Sequence, residues 1–281
     1  MQIIGGPASQ MLAARVAREL NTEPLLCDFH RFPDGELYTR ILDEITEDVT
    51  IVQSTVTDSD LIALLQLIDA CEGSPSINVV IPYMGYARQD RKFMEGEPVS
   101  ARAIARTVSA DRVYTVNIHE QNVLDYFRCD AFDIDASYLL GDYLASLGLQ
   151  SPLIVAPDRG AVDIAKKASD SSGIDFDYLE KTRLSGERVS IKTKQMDVGG
   201  RDVVLIDDMI ATGGTMAESI RILREQNAHD VYLICVHPVL ARNAVLRLFN
   251  AGVSDLLATD TIERSQSCIS VASLIASELE M

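Results

Sequence analysis

The sequence predicts an α/β protein built of two similar halves, each with a mainly parallel sheet flanked by helices. Three observations support that fold class. Short apolar, β-rich runs alternate with amphipathic segments along the 281 residues, as in parallel strands joined by helical crossovers. One plan, strand, polar loop, helix, strand and proline, occurs over Val49–Pro82 and again over Val203–Pro238. Residue identities barely match between the two stretches, so the repeat is one of pattern. Finally, Gly148 and Pro152 punctuate the middle of the chain and place a boundary near Ser146–Ser151. The expected domains are therefore 1–146 and 147–281, with the last segment packing back on the first.

Taken in order, Gln2–Ile4 reads as a short strand, followed by a Gly-Gly-Pro turn and an amphipathic helix. Further strands are expected at Leu25–Asp28, Val49–Gln53, Ile77–Ile81, Val113–Asn117, Leu153–Ala156, Val203–Ile206 and Val231–Val236. Each is a run of Val, Ile and Leu suited to a sheet buried on both faces. Helical patterns fall at Leu61–Cys71, Val99–Val108, Leu139–Leu147, Ala161–Ala168 and Met216–Glu225. Pro33-Asp34-Gly35 is a turn sequence. The polar stretch Lys181–Lys194 reads as an exposed β-ribbon or mobile loop. In open parallel sheets, ligands bind beyond the carboxyl ends of the strands. Tyr83–Lys92, His119, Asp158 and Asp207 all fall just after a predicted strand.

Composition narrows the classes. Hydrophobic residues at 47% and charged residues at 24% suit a globular chain with a sizeable core. No run of about 18 apolar residues suggests a membrane span. The N-terminus lacks the basic start and apolar stretch of a secretory signal, so the expected location is the cytoplasm. The five cysteines are scattered, without a CxxC pair, and are expected to be reduced thiols that pack as small apolar groups. A formal charge of −17 argues against non-specific nucleic-acid binding. It leaves room for a nucleotide held by local cations and Mg²⁺. Only 6 of the 25 cationic residues are Lys, and acid excess with few lysines is one signature of a salt-adapted surface.

The most informative segment is Val203–Thr215, VVLIDDMIATGGT. Four apolar residues form a buried strand that ends at Asp207 and Asp208. Ala211, Thr212, Gly213, Gly214 and Thr215 then lead into a helix beginning near Met216. Gly213 and Gly214 let main-chain N–H groups approach a phosphate, and the helix presents its positive end to the same anion. Thr212 and Thr215 add hydroxyl donors, while the paired carboxylates suit vicinal ribose hydroxyls. This loop resembles the phosphoribosyl-binding motif of the type I phosphoribosyltransferase superfamily, which includes enzymes that consume PRPP and enzymes that make it.

The remaining motifs separate the two. Arg31-Phe32-Pro33-Asp34-Gly35-Glu36, Gln53-Ser54-Thr55, Pro82–Lys92 (PYMGYARQDRK), Asn117-Ile118-His119, Ala156-Pro157-Asp158 and His237-Pro238 resemble, in order, segments of the PRPP synthetases, and of their archaeal type. Read by chemistry alone, Arg88, Arg91 and Lys92 put three cations beyond a strand, as a triphosphate requires. The resemblance implies two phosphoribosyltransferase-like domains with the active site between them at the strand ends. It implies ATP contacts from Arg88 and Gln89, and an adenine site shared across a subunit interface through Phe32, Asp34, Gly35 and Glu36. The protein would then be a homo-oligomer, at least a dimer. It further implies that His119 and Asp158 serve the Mg²⁺ that rides on ATP. Imidazole is a softer ligand than Mg²⁺ prefers, so His119 would act partly through the nucleotide or a water.

The KxR pattern of Lys181 and Arg183 resembles the catalytic flexible loop of these enzymes and implies transition-state cations, with Arg183 also near ribose 5-phosphate. Asp207, Asp208 and Ala211–Thr215 would hold ribose 5-phosphate. Ala211 stands where the common bacterial pattern has an acid, which moves the phosphate grip onto backbone N–H groups and the two threonines. The acidic Phe93–Pro98 counts against the ADP-type regulatory site of those enzymes. Two rivals share parts of the pattern: a nucleobase phosphoribosyltransferase, which has no need of PYMGYARQDRK, and a non-catalytic PRPP- or nucleotide-binding regulator, which could dispense with Lys181 and Arg183.

Overall fold

The computed structural model describes the backbone of residues 1–185, 188–192 and 196–281, and the side chains outside residues 180–195. The chain divides into two compact units. The first comprises Met1–Asp135 with Thr261–Glu263 and Ser270–Met281, and the second Ala136–Asp260 with Arg264–Ile269.

In the first unit six parallel strands form one sheet. They are β1 (Gln2–Gly5), β2 (Pro24–Leu25), β5 (Val49–Val52), β6 (Ile77–Ile81), β7 (Arg112–Val116) and β8 (Asp130–Ile134), in the order β2-β1-β5-β6-β7-β8. An antiparallel hairpin, β3 (Cys27–Arg31) and β4 (Leu37–Ile41), follows β2. The helices are α1 (Gln10–Glu19), α2 (Asp58–Ala70), α3 (Ser100–Ala105) and the C-terminal α8 (Ala272–Leu279). α8 packs beside α1, and the returning segment is fixed by Leu12 N–H donating to Glu263 Oε1 at 2.8 Å and Ser54 Oγ donating to the Thr261 carbonyl at 2.6 Å.

The second unit has the helices α4 (Ser137–Ser146), α5 (Val162–Ser172), α6 (Gly214–Glu225) and α7 (Ala244–Ala251). Its parallel sheet contains β9 (Leu153–Ala156), β10 (Phe176–Tyr178), β13 (Val203–Met209), β14 (Val231–His237), β15 (Asp255–Thr259) and β16 (Ser267–Ile269). Their order is β10-β9-β13-β14-β15-β16, and the hairpin β11 (Glu180–Ser185) and β12 (Arg188–Lys192) follows β10. The two sheets thus share one topology, with the second strand outside the first and a hairpin inserted after it. The repeat seen as β5–α2–β6 and β13–α6–β14 is one part of that correspondence.

The reason these segments fold this way is burial on both faces. Every residue of β5 and β9 is buried, as are the first four of β13, which suits continuous Val/Ile/Leu runs. Edge strand β2 is two residues long and begins at Pro24, as an unpaired edge tolerates. α2 starts in a reciprocal capping box, in which the Thr57 side chain accepts from Asp60 N–H and Asp60 accepts from Thr57 N–H.

Two expectations differ in detail. The second unit begins at Ala136, ahead of the Ser146–Ser151 punctuation, because α4 packs on α5. A Cβ on Gly141 would lie 2.2 Å from the Ala168 carbonyl oxygen, so the helices approach through that glycine. β13 also runs three residues beyond Ile206, since β14 is equally long and pairs Asp207 with Cys235 and Met209 with His237. Strands β4, β8, β10, β15 and β16 and helices α7 and α8 lie outside the predicted set; several of the strands are short or alternate in burial.

The start of the second sheet is held by a polar clamp. The buried Asp202 accepts from Gln150 N–H at 2.7 Å and lies 2.7 Å from His229 Nδ1. The hydrogen bond to Asp202 raises the His229 pKa above its ordinary value, partly opposed by desolvation. The folded state therefore favours imidazolium. The clamp's contribution is complete below the ordinary imidazole pKa of about 6.5 and is lost as pH rises through the raised value. His229→Gln should lower Tm at pH 6 and leave it nearly unchanged at pH 9; an equal loss at both would reject the charged clamp.

Candidate active site

Each unit gathers its chemical side chains at the carboxyl ends of its strands. In the first, the loop after β6 is built by close approach. A Cβ on Gly85 would lie 2.2 Å from the Thr55 carbonyl oxygen, and Gly85 N–H donates to Thr55 Oγ1 at 2.9 Å. The next residue, Tyr86, is forced into the left-handed region at φ 66°, an uncommon conformation for a bulky side chain. Its hydroxyl donates to Asp58 in the first turn of α2, which raises the Tyr86 pKa. Beyond this bend Arg88 and Gln89 are exposed. Ser100 Oγ donates to Gln89 Oε1 at 2.7 Å, which pins Gln89 to the start of α3.

Asp90, by contrast, is buried. Its carbonyl accepts from Tyr126 Oη at 2.9 Å, tying this loop to the turn that follows His119. Asp90 is thus a brace between two motif loops. The His119 loop is held from β8: Asp133 accepts from Thr115 Oγ1 at 2.7 Å, Ile118 N–H at 2.9 Å and Gln121 Nε2 at 2.6 Å. Burial pushes the Asp133 carboxyl up, and the three donors pull against that shift. His119 itself is exposed.

The Phe32–Glu36 turn caps the β3–β4 hairpin. Gly35 occupies φ 96°, and its N–H donates to the Phe32 carbonyl at 2.8 Å, while Glu36 N–H donates to Asp34 Oδ1 at 3.2 Å. Phe32, Asp34 and Glu36 are all exposed. Arg31 braces the turn, donating to the Gly35 carbonyl and to Ser59 Oγ, each at 2.6 Å. The first turn of α2 therefore anchors both the hairpin tip, through Ser59, and the Tyr86 bend, through Asp58. Among the described residues, no hydrogen bond or ion pair joins Phe32, Asp34 or Glu36 directly to Arg88 or Gln89.

In the second unit, Asp158 follows β9 and accepts from Gly160 N–H at 3.0 Å. Asp207 and Asp208 end β13, their side chains accepting from the next backbone N–H at 3.0 and 2.7 Å respectively. The Asp207 carboxyl is pushed up to about 8, first by burial, then by Asp208, with Asp158 adding to it. The structure therefore brings Asp158, Asp207 and Asp208 together as an oxygen-rich, electron-rich group. Carboxyl oxygens suit a hard divalent cation or a set of hydroxyls. Among the described residues the set of three such ligand groups that converges within 4.8 Å is Asp202, His229 and Asp230, so these three carboxyls do not by themselves form a closed cation cage.

The segment from Ala211 to Thr215 passes over α7. Ala241 N–H donates to the Ala211 carbonyl at 2.9 Å. Gly213 is left-handed at φ 69°, and a Cβ there would lie 3.2 Å from Leu248 Cδ2, so this glycine is required by conformation and packing. Gly214 is different. Its Cβ position has only Arg247 Nη1 at 3.9 Å and Thr212 Oγ1 at 4.0 Å nearby, so a glycine keeps open a cradle that the protein itself does not fill. α6 begins at Gly214, and its first amides have no intrahelical acceptors. Thr212, Gly214 and Thr215 are exposed toward solvent. The backbone of Lys181 and Arg183 lies in β11, paired with Ile191 and Val189; their side chains lie outside the described residues.

Sequence reasoning missed the braces, Arg31, Tyr86 and Asp133, and the arginine beside the cradle, Arg247. The apolar spacing of Ala244, Leu248 and Ala251 marks α7 as a helix, but only the fold shows which loop it supports.

Comparison with known proteins agrees with this architecture. Residues 1–111 match the N-terminal domain of ribose phosphate pyrophosphokinase and residues 125–258 the phosphoribosyl transferase domain. Ribose-phosphate pyrophosphokinase of Methanosarcina acetivorans is 65% identical over 281 residues, covering 100% of this chain and 99% of that one. The Halobacterium salinarum protein of the same name is 41% identical over 283 residues, covering 99% and 100% respectively. The crystal structure of phosphoribosylpyrophosphate synthetase from Mycobacterium smegmatis superimposes with a TM-score of 0.84 at 30% identity, covering 99% of this chain and 97% of that one. With both halves matched in order and relatives this similar over their whole length, the chain belongs to the ribose-phosphate pyrophosphokinase family of enzymes.

Proposed function

We propose that this protein converts ATP and D-ribose 5-phosphate to 5-phospho-α-D-ribose 1-diphosphate (PRPP) and AMP, with Mg²⁺, in the cytoplasm. The observation that supports this reading best is the β13–α6 junction, where a pair of carboxylates leads into an open glycine cradle at a helix start. Asp207 and Asp208 accept hydrogen bonds from the ribose hydroxyls, and the amides and hydroxyls of Ala211–Thr215 hold the 5-phosphate. Arg88 and Gln89 hold the triphosphate. Phe32, Asp34, Gly35 and Glu36 hold adenine supplied to a neighbouring copy, which makes the enzyme at least a dimer.

The anomeric oxygen attacks the β-phosphorus of ATP, the bond from that phosphorus to the α–β bridging oxygen breaks, and AMP departs. The attacking hydroxyl loses its proton, and the Asp207–Asp208 pair offers the carboxylate that can accept it. Mg²⁺, served by Asp158 and, through nucleotide or water, by His119, supplies charge neutralisation on the triphosphate. Lys181 and Arg183 stabilise negative charge that develops on the transferring group. Such chemistry relies on positioning and charge more than on covalent intermediates.

Incubation with ATP, Mg²⁺ and ribose 5-phosphate should yield AMP and PRPP in equal amounts. No AMP would overturn the proposal, and base-dependent pyrophosphate release from PRPP would point to a transferase. Lys181→Ala should lower kcat by roughly 10²–10³-fold with ATP affinity largely kept; near-normal turnover would remove Lys181 from the mechanism. Asp207→Asn should chiefly impair use of ribose 5-phosphate without destabilising the fold. A carboxyl with a raised folded pKa loses stability as pH climbs from its ordinary value toward about 8. The variant should therefore gain Tm at pH 8, with the gain shrinking toward pH 5. Unchanged kinetics, or a lower Tm at pH 8, would count against Asp207 as a strained ligand for the sugar.

A further inference from the structure

We infer that Arg247, on α7, is a phosphate-binding residue of the ribose 5-phosphate site and supplies its fixed positive charge. The inference rests on the reading of Ala211–Thr215 as the 5-phosphate cradle and adds a residue that lies well outside that loop in sequence.

Three observations converge on it. First, Arg247 Nη1 donates to the Thr212 carbonyl at 2.7 Å, and its Nη2 lies 3.3 Å from Asn243 Oδ1 at the start of α7. The guanidinium is thereby held rigidly against the loop by two acceptors. A planar group with donors along three sides keeps most of them for a ligand. Second, the open position over Gly214 is bordered by that same Nη1 at 3.9 Å and by Thr212 Oγ1 at 4.0 Å. A phosphate seated where a Cβ is missing therefore meets a guanidinium and a hydroxyl at once. Third, α7 is fixed under the loop, since Leu248, the next residue, is fully buried and would sit 3.2 Å from a Cβ on Gly213. Arg247 and Leu248 divide the work: one packs beneath the left-handed glycine, the other flanks the open one.

Charge explains why such a residue is needed. The loop amides and threonine hydroxyls are neutral donors. Asp158, Asp207 and Asp208 repel one another and would repel a phosphate dianion, in a chain whose formal charge is −17. The other hydrogen-bonded arginines described in this unit serve elsewhere. Arg201 binds the carbonyls of Ser151 and Pro152 and Arg224 that of Gly252, at the amino ends of strands, while Arg264 reaches the Val239 carbonyl beyond β14 rather than the Ala211–Thr215 segment. Among the described residues, Arg247 is the cation hydrogen-bonded to the loop.

The test is steady-state kinetics of the full-length enzyme and its Arg247→Gln and Arg247→Lys variants, with ATP and ribose 5-phosphate varied separately. Removal of a charge-assisted contact should raise the KM for ribose 5-phosphate roughly 10- to 100-fold, with the KM for ATP and the Tm little changed. Arg247→Lys should recover part of the loss. If Arg247 merely shapes the loop, kcat falls while the KM for ribose 5-phosphate stays within about twofold, and the assignment is overturned. If the wild-type enzyme forms no AMP, the proposed reaction has failed instead. Calorimetric binding of ribose 5-phosphate to wild type and Arg247→Gln then decides: tenfold weaker binding sustains the assignment, and equal binding rejects it.

Discussion

A parallel strand buried on both faces has no room for polar chemistry along its length, and that constraint organises each half of this protein. β5, β9 and the first part of β13 are apolar and inaccessible, so the charged residues the enzyme uses can appear only where the strands end. β13 shows the transition most sharply. Four buried aliphatic residues are followed, inside the same paired strand, by Asp207 and Asp208. Because the strand continues to Met209, Asp207 is carried partly into the core, and its carboxyl is pushed up to about 8. Sheet geometry thus sets the electrostatics of the proposed sugar site.

The first unit meets a different demand with the same topology. Its loops present cations and exposed polar groups, and those exposed tips need rigid support from the elements beneath them. α2 supplies it, with Ser59 receiving Arg31 from the hairpin and Asp58 receiving the Tyr86 hydroxyl. The left-handed Tyr86 and the Thr55–Gly85 approach mark a backbone held in a costly shape next to residues proposed to bind ATP. Strain of this kind persists where surrounding contacts over-determine it. The hairpins make the same point about economy of design. Each half inserts one after its second parallel strand; one carries Phe32–Glu36 and the other Lys181 and Arg183.

Much was legible in the sequence because its signals are local. Continuous apolar runs located six of the parallel strands closely, and the Asp-Asp to Gly-Gly spacing located the strand-to-helix junction of β13 and α6. Pattern repetition between Val49–Pro82 and Val203–Pro238 announced the shared topology of the halves. Short strands such as β10 and β16 escaped, since two or three residues carry no measurable period and exist only because a neighbour pairs with them. The unit boundary at Ala136 escaped as well, because a glycine and a proline mark where a chain turns, whereas the Gly141–Ala168 contact decides which core a helix joins.

By itself, then, the sequence determined the fold class and the family, both of which depend on residue types at fixed short spacings. Tertiary structure alone decided which residues stand beside those loops. Asp90 turned out to be a buried brace, Asp133 the anchor of the His119 loop, and Arg247 the cation at the Gly214 cradle. The physical reason is range. Helix and strand periodicity report contacts a few residues apart, but an arginine 35 positions from its acceptor meets it only when two crossovers of the sheet bring them together.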